Sequence, residues 1–401
     1  MKKAILILAT LPLFLIMTNC EKSPSPEGKS ISISENFAQK TDNFAFDFWK
    51  AVNNDEKPET SYFVSPLSLH IALGMLLNGA DTETKAEIQK MLGFENENMD
   101  EINKTYKILI DNLPLVDPKV VNTIANSVWQ NKDFLAEKSY TDILSANFNA
   151  RLYTEDFGNP ATVNKINQWA ADNTNQKIKK ILDQINSDDV MFLINALYFK
   201  GDWSKQFKTE NTFKHDFTGI KSKNKVDMMT QTDEFRFVEN DQLKLVELPY
   251  GNEKYAMKIL LPKNNNLHKV ISELTPSGWK ALEQSMVKQK VVVGLPKFTL
   301  EYSKKLNDIL GGMGMKKAFS NQADLSKIMK PAGKIKVGFV KQDTFLSVDE
   351  KGTEAAAVTS IGIVLTSMPV YPEIICDQPF AIVITEKSSD TIMFVGKVSN
   401  L

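Results

Sequence analysis

Three histidines and two cysteines in 401 residues set narrow limits on the chemistry this chain can do. Cys20 and Cys376 lie near opposite ends and fall in no Cys-x-x-Cys spacing, and His70, His215 and His268 make no metal pattern with them. No metal ion and no cofactor is therefore expected. There is no Gly-x-Ser-x-Gly elbow, and Gly311-Gly312-Met313-Gly314 follows a helical pattern instead of a strand, so it does not read as a phosphate-binding loop. The chain is not read as an enzyme. The stretch that stands out carries no reactive group at all: EKGTEAAAVTSIGIVLTSMP, residues 350–369. Its residues are too small for a core strand, and it is too long for an ordinary connection.

Composition excludes other classes. The formal net charge is −1, so no broad attraction to nucleic acid or anionic lipid is expected. The densest basic run, Lys177-Ile178-Lys179-Lys180, follows a helical pattern and reads as a solvated helix face. At the N-terminus, Lys2 and Lys3 precede a nearly continuous apolar run from Ala4 to Ile16, too short to span a bilayer. Residues 1–19 read as a signal peptide. Met17-Thr18-Asn19-Cys20 resembles a bacterial lipoprotein box, with Asn19 in place of the usual small residue and Met17 in place of the usual Leu. Acylation of Cys20 is the expectation, and cleavage that leaves Cys20 a stray thiol is the alternative. Residues 20–32, which include EKSPSPEGKS, have the composition of a flexible tether. The chain would then be secreted across the inner membrane and held as an outer-membrane lipoprotein, facing the periplasm or the cell surface.

The elements that must carry residues 350–369 read as one body, 33–401, without a second linker or an internal repeat. Phe37 to Val52 has helical spacing. Ser65-Pro66 opens a helix over Leu67 to Asn78 that Gly79 ends. Thr84 and Glu87 make a capping box for a helix that runs through Leu92 and closes at Gly93. Asn164 to Leu182 is amphipathic through Ile166, Trp169, Ile178 and Ile181. Strands are predicted at Val190–Phe199, Leu243–Leu248, Tyr255–Leu261, Val291–Leu300 and Lys334–Val348. A hairpin over Phe380–Thr385 and Thr391–Val398 turns at Lys387-Ser388-Ser389-Asp390. VMFLINALYF (190–199) is apolar on both faces, which implies a strand covered on both sides.

Five separate stretches, in order, resemble the serpins. They are FVSPLSLHIALGMLLNGADTETKAEI (63–88), NALYFKGDWSKQF (195–207), LPKFTLEYSKKLNDILGGMGMKKAFSNQADLSKI (295–328), SVDEKGTEAAAVT (347–359) and the closing hairpin DQPFAIVI…TIMFVGKVSN. The resemblance covers essentially the whole body. It implies an α+β fold of three β-sheets with about eight or nine helices and an exposed reactive-centre loop, here about 350–372. It implies a suicide-substrate inhibitor of serine endopeptidases, with cysteine endopeptidases as a further target class, that inserts its cleaved loop into the main sheet and acts as a monomer. The alternative is a non-inhibitory serpin-fold surface binding protein. One departure is clear: the family's buried His, eight residues before the hinge Glu, is Gln342 here. Gln still donates and accepts hydrogen bonds, so Asn195, Ser65 and Ser68 are expected to stay bonded in that shutter region. Trp203 resembles the breach where the loop first enters.

Insertion constrains the loop sequence. Alternate residues must face inward, and Thr353, Ala355, Ala357 and Thr359 are small and uncharged. Glu350, Gly352, Glu354, Ala356 and Val358 complete the hinge, with Gly352 supplying backbone freedom. No proline lies between Glu350 and Met368 to remove a ladder donor. Ile361 and Ile363 continue the inward phase. Counting from Glu350 puts the scissile bond at Thr366–Ser367, with Leu365–Thr366 as the alternative. No Arg or Lys lies between Thr353 and Pro372, so elastase-, chymotrypsin-, cathepsin- or subtilisin-like proteases are the expected targets, with the bilayer a second partner through acylated Cys20.

Overall fold

A long helix whose one face is aromatic starts the body. In the computed structural model, which describes residues 28–186, 189–329, 335–353 and 371–401, α1 spans Glu35–Asp55 and buries Phe37, Phe44, Phe48 and Val52 at helical spacing. Strand β1 (Tyr62–Val64) leads into α2 (Pro66–Gly79), whose Ser65 hydroxyl accepts the Ser68 amide hydrogen as an N-cap. Nearly every residue of α2 is buried, as an all-round apolar helix must be. Helices α3 (Thr82–Met91), α4 (Met99–Asn112) and α5 (Lys138–Phe148), with strands β2 (Val120–Asn131) and β3 (Arg151–Glu155), continue the chain to α6 (Ala161–Asn173). Next come β4 (Met191–Asp202), β5 (Thr212–Thr218), β6 (Lys223–Glu239), β7 (Leu243–Tyr250) and β8 (Tyr255–Pro262). Helices α7 (Leu267–Glu273) and α8 (Pro276–Ser285) precede β9 (Val287–Pro296) and β10 (Phe298–Lys305). Then follow α9 (Asn307–Gly312), β11 (Lys341–Val348), β12 (Gly352–Thr353), β13 (Glu373–Ile375), β14 (Phe380–Glu386) and β15 (Thr391–Val398).

Among the described residues the strands form two hydrogen-bonded networks. One has the order β10-β11-β12-β4-β2-β3. The other runs β1-β15-β14-β8-β7-β6-β9-β13, with β5 also on β6. Two of the three expected sheets are thus continuous, because β6 is 17 residues long and belongs to both: one end pairs with β5 and the other with β7. The six-stranded sheet is covered on both faces. Helix α2 lies between β4 and β15. On the opposite face, Ile166, Trp169 and Ala170 of α6 pack with Trp129 of β2 and Phe192 and Ala196 of β4.

Five local expectations are corrected. Helix α6 ends at Asn173, not Leu182: Asn175 and Gln176 take positive φ (50° and 62°), and Asn167 caps the amides of Ile181 and Leu182 instead. The basic run 177–180 is therefore not a helix face. Thr84 and Glu87 form no capping box. The Thr84 hydroxyl accepts from the Asp324 amide, and the Glu87 carboxylate accepts from the amides of Lys316 and Lys317. Val291–Leu300 is not one strand: the chain leaves one sheet at Pro296 and enters the other at Phe298. The strand read from Lys334 starts at Lys341.

Candidate functional site

The six-stranded sheet is unusual at its centre. Strands β11 and β4 are separated by β12, a two-residue strand antiparallel to both. Thr353 pairs with Val348 on one side and Gly201 on the other. Asp349 makes the turn between β11 and β12: its amide donates to the Gly352 carbonyl at 2.9 Å, and its carboxylate accepts from the amides of Lys351 and Gly352. Burial raises the Asp349 carboxyl, offset in part by those two amides. Gly352 is required by close approach, since a Cβ there would lie 2.1 Å from the Gly201 carbonyl oxygen. Its φ is not among the positive ones, so in this state the glycine is explained by packing and not by the backbone freedom expected of it.

A buried platform holds this short strand. Trp203 stacks on Tyr250 at 4.5 Å between ring centroids and donates from Nε1 to the Asp349 carbonyl at 2.9 Å. The Tyr250 hydroxyl meets the Thr353 hydroxyl at 2.6 Å, and Thr353 is only 2 % exposed. Glu350 accepts from the Thr212 hydroxyl at 2.9 Å and pairs with Lys297 at 2.9 Å. Burial pushes the Glu350 carboxyl up, but the Lys297 ammonium and the Thr212 hydroxyl outweigh it and hold the group below its ordinary range. Trp203 was legible in the sequence. Tyr250 and Lys297 were not, because nothing in their spacing marks them and their partners lie far away in the chain.

A second polar cluster lies farther down the same gap. The Gln342 side chain accepts from the Ser65 amide and donates to the Ser65 carbonyl, both at 2.9 Å. The Ser65 hydroxyl donates to the Met393 carbonyl at 2.7 Å. Ser68 donates to Asn195, whose amide donates to Asn126 at 2.7 Å. Gln342 and Asn195 thus face α2 from the two strands that flank the gap. A cavity of about 490 Å³ lies between them, lined by Leu69 and Ala72 of α2, Leu193 and Leu197 of β4, and Gln342 and Thr344 of β11. The segment after α6 crosses its outer side: Lys177 sits over the Phe345 ring at 4.8 Å, and Lys341 donates to the Ile181 carbonyl at 3.2 Å.

Other sequence-marked residues fall elsewhere. Cys376 is buried and free, and burial pushes its thiol far up. Glu354, Ala355, Ala356, Ala357, Val358, Thr359, Leu365, Thr366, Ser367 and Cys20 lie outside the described residues.

Comparison with known proteins gives one answer. The family model for serpins (serine protease inhibitors) matches residues 39–401. An uncharacterized serpin-like protein of Thermococcus kodakarensis is 33 % identical over 363 residues, covering 89 % of this chain and 84 % of that protein. Human serpin B4 is 34 % identical over 384 residues, covering 89 % and 97 %. Among solved structures, the thermophilic serpin tengpin in its native state superimposes with a TM-score of 0.84 at 32 % identity, covering 93 % of this chain and 96 % of that one. Its latent state gives a TM-score of 0.81, also at 32 % identity, covering 93 % and 100 %.

Proposed function

The chain belongs to the serpin family of serine protease inhibitors, and from that premise we propose that it traps proteases by drawing its cleaved loop into the gap between β11 and β4. The observation that carries this reading is β12, a first inward residue, Thr353, held between the two flanking strands. Continuing from Thr353, each further residue moves one position down both flanks, because both pairings are antiparallel. Thr359 then falls opposite Asn195 on β4 and Gln342 on β11. It shares the inward face of Thr353, so its hydroxyl would enter the polar cluster beside Ser65 and Ser68. Ala355 and Ala357 would pass the apolar stretch between.

The energetics suit this. Ten further positions on β4, from Lys200 to Met191, offer on the order of ten ladder hydrogen bonds at roughly 1 kcal/mol each. Apolar burial adds roughly 25 cal/mol per Å². The sum exceeds a native stability of about 5–15 kcal/mol, enough to move an attached protease and distort its active site. The protease's own nucleophile attacks the scissile carbonyl at Thr366 or Leu365 and expels the amine of the next residue. An acyl-enzyme results. Distortion of the oxyanion hole then stops water from completing hydrolysis.

The test is a denaturing gel after mixing with elastase. A band at the summed mass supports the proposal. Cleavage with no such band overturns it and favours a non-inhibitory binding protein. We further propose that Cys20 is acylated and holds the body at a bilayer. The support is the lipoprotein-box resemblance of residues 17–20 and the tether composition that follows.

A further inference from the structure

Where the tether joins the body decides which end of the molecule faces a membrane. Gly28 lies against the end of α4's connection to β2, so close to Val116 that a Cβ would overlap the Val116 carbonyl oxygen. The next residue is bonded there too, with the Lys29 amide donating to the Leu115 carbonyl at 3.1 Å. Asp117 continues the contact, accepting the Asn252 amide at 2.6 Å. Neighbouring Gly251 donates to the Asp202 carbonyl at 2.8 Å. Asp202 is the strand partner of Gly352, where the reactive loop begins. Four contacts thus link the root of the tether to the root of the loop.

Of residues 20–32, read as a tether from composition, Gly28, Lys29 and Ile31 already contact the body, with Ile31 buried. That leaves residues 20–27, eight peptide units, which reach at most about 28 Å at roughly 3.5 Å each. The opposite end of the sheet is farther off. From Gly201 to Met191 along β4 is about 33 Å at roughly 3.3 Å per residue. The surface at the tether root is also the kind that suits a headgroup layer. Leu115 (49 % exposed) and Val121 (52 %) project beside exposed Pro118 and Lys119, with Lys29 adjacent. Apolar side chains flanked by lysines bury a few methylenes while the ammonium groups meet phosphates.

We propose that the face formed by Leu115, Pro118, Lys119 and Val121 rests on an anionic bilayer surface, so that the loop-bearing end of the molecule is held toward the membrane. This rests on acylation of Cys20. The targets are accordingly proteases at that surface, and insertion carries a trapped protease away from it, down β4 toward Met191.

The experiment uses the full chain, processed in a bacterium, extracted, and reconstituted in phosphatidylglycerol–phosphatidylethanolamine vesicles that carry headgroup nitroxides. A fluorophore is attached at Lys119→Cys, at Leu115→Cys as a second position on the same face, or at Gln184→Cys at the far end. Buried Cys376 does not compete for the label. The expected result is loss of most emission at 119 and 115 and none at 184. Equal or reversed quenching, with an acylated N-terminal peptide by mass, overturns the orientation and leaves the anchor standing. An unmodified N-terminal peptide removes the anchor, and the orientation with it.

Discussion

Tyr250 and Thr353, 103 residues apart in the chain, share a hydrogen bond of 2.6 Å beneath the upper end of the six-stranded sheet. The bond is buried, and in the intact chain it already holds the residue proposed to enter the sheet first. A charge at this position would have to be desolvated against the Tyr250–Trp203 stack, at a cost of several kcal/mol. Thr353→Arg should therefore turn the inhibitor into a substrate. We expect the stoichiometry of inhibition to rise at least about tenfold, since each 1.4 kcal/mol is tenfold in a rate. Titration of active protease against the variant measures it, and an unchanged stoichiometry would count against insertion.

Gln342 satisfies both backbone groups of Ser65. Gln342→Ala leaves the Ser65 amide a buried donor without a partner and takes one of two donors from the Ser65 carbonyl, which keeps the Leu69 amide, at a cost of about 1–3 kcal/mol. The melting temperature should fall by roughly 2–6 °C, while Gln342→His should lose less. Thermal unfolding of the two variants side by side checks this.

The loop-cleaved form should melt above the intact one by about 20 °C or more, since about 10 kcal/mol or more of added stability is worth roughly 2 °C per kcal/mol in a chain of this size. Calorimetry before and after limited proteolysis reads the difference, and equal melting temperatures would show that no strain is stored.

Two buried groups should make stability depend on pH in opposite senses. Burial among Phe37, Phe44, Phe94 and Tyr106 pushes His70 down to about 3 from its ordinary 6.5. Between those values the unfolded chain binds the proton and the folded chain does not, so stability is lost as pH drops from 6.5 toward 3. Asp42 is shifted the other way, up to about 8, first by burial and then by the charges of Asp390 and Glu283. Its contribution is full below 3.8 and is lost as pH rises from there through 8. The two effects oppose each other between 3.8 and 6.5, and only Asp42 acts between 6.5 and 8. Denaturant melts across pH should show His70→Phe leaving a stability that rises steadily as pH falls from 8 toward 3.8, and Asp42→Asn leaving only the loss below 6.5.

Trypsin-like proteases should not be captured, because residues 354–372 contain neither Arg nor Lys. The C-terminal peptide released by elastase should begin at Ser367 or Thr366. Its mass decides between the two bonds, and a start outside Leu365–Met368 would refute the counting from Glu350.

Much of the scaffold is legible in the sequence because its signals are local. Ser65-Pro66 starts a helix wherever it stands, and Lys387-Ser388-Ser389-Asp390 turns between two apolar runs with Asp390 at φ 57°. What escapes is decided at long range. Thr84 and Glu87 have the spacing of a cap, yet partners in the 316–324 segment outbid the local bond. Lys177 and Ile178 continue the period of α6, but two residues at positive φ have already ended it. Strands β2 and β6 carry Asn, Gln, Thr and Asp at many positions, so no alternation marks them. At the site, Trp203 and Gln342 sit inside stretches that resemble a family, whereas Tyr250 is read only through the atoms it touches.

The turn at Asp349–Gly352 has one more implication. It already joins β11 to β12 as a hairpin, so the fully zipped state needs no distant segment to be brought home and no further loop to be closed. If the chain inserts its loop as proposed, a barrier alone holds the uncleaved molecule in its armed form, and releasing β13 from β9 is part of that barrier. On that reading the protein is perishable: heat or long storage should disarm it without a single peptide bond being broken.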